Sequence, residues 1–120
     1  MKSILLVEDD PYITDIYSIK LKEAGFLIDV AVAGQDCLRK IEEKIPDLLL
    51  LDIVLPDIDG WEILRKIQNN DKLKNLKVVV LSNLGQKEEV EKAIKLGATK
   101  YLIKARYTPS EVVKEIKKII

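Results

Sequence analysis

The sequence predicts an α/β fold: a doubly wound, five-stranded parallel sheet with helices on both faces. Three observations lead to it. Short apolar runs alternate with amphipathic stretches along the whole 120 residues. Two of the runs, Ser3-Ile4-Leu5-Leu6-Val7 and Leu48-Leu49-Leu50-Leu51, are nearly continuous in apolar residues, the pattern of strands covered on both faces. Residues that start and stop helices fall between the runs rather than inside them.

Strands are expected at about 3–7, 26–31, 47–52, 76–81 and 100–103, and helices at about 11–24, 34–44, 60–69, 86–96 and 109–120. Asp10-Pro11 supplies an N-cap and a proline at the first helical position. Gly25 stands where the first helix has to stop in a left-handed residue, and Gly97 does the same for the fourth. Asp59-Gly60 opens the third helix. Thr108-Pro109-Ser110-Glu111 combines a cap, a helix-starting proline and a capping-box glutamate. The last helix places Val112, Val113, Ile116, Ile119 and Ile120 mostly on one face. Strand, helix and strand in repeated succession require right-handed crossovers.

Length and composition set bounds on function. A chain of this size is expected to form one domain, residues 1–120, burying roughly two thirds of its unfolded surface. Apolar residues are 48% and charged residues 33%, a globular rather than a disordered composition. Zero formal net charge removes any general electrostatic argument for nucleic acid or an anionic membrane. No apolar run approaches the roughly 18 residues of a membrane span. Met1-Lys2-Ser3 leads directly into a strand without a signal-peptide pattern, and cytoplasmic residence is expected. One cysteine, Cys37, excludes an intramolecular disulfide and reads as a small buried helix residue. The absence of histidine excludes His-based metal sites and Ser-His or Cys-His nucleophile pairs.

Chemistry concentrates at the predicted carboxyl ends of strands, where open α/β sheets place their sites. Glu8, Asp9 and Asp10 follow the first strand, Asp52 the third, Ser82 the fourth and Lys104 the fifth. If strands one, three, four and five are neighbours, these groups converge. Like charges held that close resist joint ionisation. A hard cation such as Mg2+, which takes oxygen ligands, resolves the conflict. The resulting set suits phosphoryl chemistry, with Asp52 as nucleophile, Ser82 as hydrogen-bond donor and Lys104 as a neutralising ammonium. Asp10 by itself reads as a helix cap, and Ser82 or Lys104 alone would be an ordinary loop or surface residue.

These residues carry a resemblance. Val7-Glu8-Asp9-Asp10-Pro11, the long motif from Pro46 through Asp52 to Asp59-Gly60, Leu81-Ser82 and Gly97-Ala98-Thr99-Lys100-Tyr101-Leu102-Ile103-Lys104 together resemble the CheY-like receiver domains of two-component response regulators. The resemblance spans essentially the whole chain. It implies the flavodoxin-like strand order 2-1-3-4-5, and a phosphorylation switch rather than an enzyme with turnover. Asp52 matches the phosphoacceptor, and Glu8 and Asp9 match the acidic pair that holds Mg2+, Asp9 directly and Glu8 through water. The Val54 backbone carbonyl matches the remaining protein ligand. Ser82 and Tyr101 match the switch pair, and Lys104 matches the lysine that contacts the phosphoryl group. The implied partners are a sensor histidine kinase or phosphotransfer protein as donor, and an output protein at the face formed by helix four, strand five and helix five. No direct nucleic-acid or membrane binding by this domain is implied.

The sequence also departs from the family pattern. Ala105 follows Lys104 where proline, often in a cis bond, is usual. A cis bond there would cost about 2.5–4 kcal/mol, so a trans peptide and a shifted loop are expected. Arg106 replaces an aromatic whose packing Tyr107 is placed to take over, and Asn83 replaces a small residue after the switch hydroxyl. Thr99-Lys100 stands where dimerising members carry two acidic residues, which disfavours that salt-bridged dimer. Apolar Val54 and Leu84 flank the site and imply slow self-dephosphorylation. Two alternatives compete. Asp57-Ile58-Asp59-Gly60 resembles the aspartate motif of haloacid-dehalogenase-type phosphatases, although Pro56 separates it from the strand. The other is a receiver-fold protein-binding module that works without phosphorylation.

Overall fold

A computed structural model describes all residues, Met1–Ile120. The strands are β1 (Ser3–Val7), β2 (Leu27–Ala31), β3 (Leu48–Leu51), β4 (Lys77–Ser82) and β5 (Lys100–Ile103). The helices are α1 (Pro11–Glu23), α2 (Gly34–Glu43), α3 (Gly60–Gln68), α4 (Lys87–Lys95) and α5 (Pro109–Ile119). All strand pairs are parallel, in the order β2-β1-β3-β4-β5. This is the predicted fold, and no element end differs from the predicted one by more than a residue.

Each strand residue points to the face opposite its neighbour's, so an unbroken apolar strand feeds two cores. On one face Leu5, Val7, Leu49, Leu51, Val78 and Val80 pack with Cys37 and Ile41 of α2, Ile63, Leu64 and Ile67 of α3, and Ala93 of α4. On the other Ile4, Leu6, Leu48, Leu50, Val79 and Leu81 pack with Tyr17 and Leu21 of α1 and Val112, Val113 and Ile116 of α5. β3 lies at the centre of the sheet, and all four of its leucines are fully buried.

The local signals act as expected. The Asp10 side chain accepts the Tyr12 N–H, Asp59 accepts the Glu62 N–H, and Thr108 and Glu111 form the reciprocal capping box. Gly25 and Gly97 adopt φ of 95° and 98°, left-handed values that would strain any side chain. There is no cis peptide bond, and Lys104–Arg106 form a 3-10 turn between β5 and α5. Tyr107 is half-buried against the α1–α5 core. No helix is long and apolar enough to cross a membrane.

Candidate functional site at the strand ends

The sheet register brings the predicted residues together. Val7 pairs with Leu51, so Glu8 and Asp52 leave adjacent strands side by side. The Asp52 N–H donates to the Val7 carbonyl at 3.1 Å, carrying the ladder one step past both strands. Ser82 pairs with Ile103, which puts Lys104 one residue beyond on the next strand. Glu8 is 3% exposed, Asp52 8% and Ser82 0%, while Asp9 faces solvent.

Buried carboxylates need partners, and here each oxygen has one. The Lys104 ammonium donates to Glu8 Oε1 and, at 2.9 Å, to Asp52 Oδ2. Glu8 Oε2 accepts the backbone N–H of Asp9 at 3.0 Å and of Asp10 at 3.3 Å. Asp52 Oδ1 accepts the Val54 N–H at 3.2 Å. Burial pushes the Glu8 carboxyl above its ordinary range, against the pull of Lys104. Burial alone would lower Lys104, but its contacts with Glu8 and Asp52 outweigh that and hold its ammonium charged.

Carboxylate oxygens of Glu8, Asp9 and Asp52 lie within 4.8 Å of one another. Three oxygen donors without nitrogen or sulfur fit a hard divalent cation. The acidic pocket formed by these residues could therefore bind a metal ion.

Ser82 and Tyr101 meet on the loop that follows β4. Ser82 Oγ accepts the Leu84 N–H at 3.3 Å, and the Tyr101 hydroxyl donates to the Leu84 carbonyl. Tyr101 is half-buried against the α2–α3–α4 core, and burial raises its phenol above the ordinary value. The loop then enters α4 through the Gln86 N–H, which donates to the Glu89 carboxylate at 3.1 Å. Val54 and Asn83 are exposed beside this loop and the acidic cluster, and Leu84 is half-buried.

Cys37 is fully buried, and burial pushes its thiol up to about 12, which leaves no reactive thiolate. Asp57, the residue on which the phosphatase alternative depends, is occupied elsewhere: its carboxylate caps the start of α2. Sequence reasoning missed that contact. Its signal was the predicted helix start at Val32-Ala33-Gly34, which carries no capping side chain and so requires a cap from elsewhere in the chain.

A five-stranded parallel sheet with an acidic crevice and a bridging lysine at its strand ends defines a CheY-like signalling fold. Residues 4–117 match the response regulator receiver domain family, and the chain belongs to that family. It is 35% identical over 104 residues to the transcriptional regulatory protein AfsQ1 of Streptomyces coelicolor, covering 87% of this chain and 45% of that protein. The chain thus spans about half the length of curated relatives it matches. Among solved structures, a CheY-like receiver domain protein of Methanospirillum hungatei superposes with a TM-score of 0.90 at 29% identity, covering 99% of this chain and 93% of that one. The Mn2+-bound form of response regulator Rcp1 does so with 0.86 at 29% identity, covering 99% and 91%. Receiver domains are signalling switches of two-component systems rather than turnover enzymes.

Proposed function

We propose that the chain is one receiver domain, residues 1–120, that accepts a phosphoryl group on Asp52 and thereby changes its affinity for an output partner. The observation that carries this reading is the Lys104 ammonium bridging Glu8 and Asp52, with Asp9 beside them at the mouth. Asp9, Asp52 and the Val54 carbonyl would hold Mg2+, with Glu8 acting through water. Rcp1, a structural relative, has a Mn2+-bound form. The cation would offset the charge on the carboxylates and on the transferring phosphoryl oxygens.

An Asp52 carboxylate oxygen forms the new bond to phosphorus while the donor's P–N or P–O bond breaks. The donor's nitrogen or oxygen keeps that bond's electron pair. With a sensor histidine kinase or phosphotransfer protein, the leaving group is an imidazole. Lys104 lies close enough to Asp52 to follow the incoming charge with its ammonium. Ser82, once its loop turns, donates its hydroxyl to the product. The product can shift the balance of states only through contacts that differ between them. Those contacts are the Ser82–Leu84–Tyr101 set, which joins the site to the output face formed by α4, β5 and α5. Apolar Val54 and Leu84 offer no hydrogen bond to an attacking water, so the acyl phosphate should be long-lived.

The test is incubation with acetyl phosphate and Mg2+, read by intact mass. The wild type should gain one phosphoryl group and Asp52→Ala none. No gain in the wild type from this or other small donors would favour a binding module that works without phosphorylation.

A further inference from the structure

One carboxylate near the site makes contacts that the proposed chemistry does not use. Asp57 lies in the loop between β3 and α3, and its side chain reaches the first turn of α2. Oδ1 accepts the Gly34 N–H at 2.7 Å and Oδ2 the Gln35 N–H at 2.9 Å. These amides have no acceptor within the helix, and the N-cap residue, Ala33, makes no side-chain cap. The helix dipole favours an anion at this end.

The backbone closes the same contact. A Cβ on Gly34 would stand 2.6 Å from the Ile58 carbonyl oxygen, so the loop and α2 approach more closely than any side chain there would allow. The loop is held as firmly at its other end. The Gly60 N–H donates to the Ile53 carbonyl at 2.7 Å, and a Cβ on Gly60 would lie 2.6 Å from Ile53 Cα and 2.9 Å from the Asp52 carbonyl oxygen. Val54 sits between these two anchors. One amide acceptor would suffice for a helix cap. Two acceptors on one carboxylate also fix the loop's position and orientation.

We propose that Asp57 is a positioning residue: by clamping the loop after β3 onto the start of α2, it holds the Val54 carbonyl in place beside Asp52 for the metal. This rests on the reading of Asp9, Asp52 and Val54 as Mg2+ ligands with Glu8 behind water. Asp57 itself does not touch the metal.

Mg2+ affinity is measured by titration calorimetry on the full chain, with thermal unfolding of the same proteins in parallel. Asp57→Ala should weaken Mg2+ binding about tenfold, the lower end of the effect of losing a group that orients a metal ligand. Asp57→Asn keeps one acceptor and should recover part of that loss. Asp57→Ala combined with Ala33→Ser gives α2 a cap of its own. It should recover thermal stability and leave Mg2+ affinity weak. If affinity returns together with stability, Asp57 is only a helix cap and the proposal is overturned. Unchanged affinity in Asp57→Ala overturns it as well, while wild-type Mg2+ binding keeps the reading of the site intact. A wild type that binds no Mg2+ removes that reading and this proposal with it.

Discussion

Lys104 is the residue on which the strand-end cluster depends. Its side chain is 14% exposed, and it faces the buried carboxylates of Glu8 and Asp52. An exposed ion pair adds little to stability, but removing one partner of a buried pair strands the other charge. Lys104→Ala strands two, so it should cost about 3 kcal/mol in urea unfolding without divalent ions, the lower end of the range for broken buried pairs. Saturating Mg2+ should return part of that stability, because it supplies the missing positive charge. A loss that Mg2+ does not relieve would mean that Lys104 acts mainly through packing of its stem. Asp57 is the opposite case at this scale: an exposed residue whose importance lies in what it holds.

Among the elements, the contact between β5 and α5 has a defined acid response. Glu115 of α5 takes Lys100 of β5 at 2.6 Å and Lys118 at 2.8 Å. The Lys100 contact is the larger cause that holds its carboxyl down to about 2, against an ordinary 4.5. A carboxyl depressed in the folded state contributes stability that is present above about 4.5 and lost as pH falls through about 2. Glu115→Gln removes that dependence. The Tm difference between wild type and variant should be constant above pH 5 and close as pH falls toward 2. A difference that stays constant to pH 2 would show that Lys100 gives Glu115 no such hold.

Across the whole molecule, the central sheet separates two cores. Ile63 belongs to the layer under α2, α3 and α4, and Ile116 to the layer under α1 and α5, both fully buried. Ile63→Val and Ile116→Val should each cost about 1 kcal/mol through the lost methylene and the space left behind. With the sheet between them, the double variant should equal their sum within about 0.5 kcal/mol. A larger discrepancy in urea unfolding would show that strain passes through the strands from one core to the other. Such transmission would matter here, since the strand ends carry the site and α4 and α5 carry the proposed output face.

The fold class and the placement of Glu8, Asp52, Ser82 and Lys104 at strand ends were legible because each depends on short-range pattern, whereas the strand order followed from the resemblance to a known family. Four leucines in a row, bounded closely by Pro46-Asp47 and Asp52, read as a short strand covered on both faces, and a carboxylate directly after them falls at the strand's end. The caps at Asp10, Asp59 and Thr108 were legible for the same reason, since a capping side chain stands a few residues from the amide it serves. Two things were decided only by tertiary structure. The sheet register set which oxygens Lys104 bridges, because the ion pair joins residues on strands distant in sequence. The clamp from Asp57 to α2 closes a contact between segments 22 and 23 residues apart. A local pattern reveals that the start of α2 lacks a cap. Only the packing of the loop after β3 against it, at a distance that only glycine allows, decides which carboxylate fills that role.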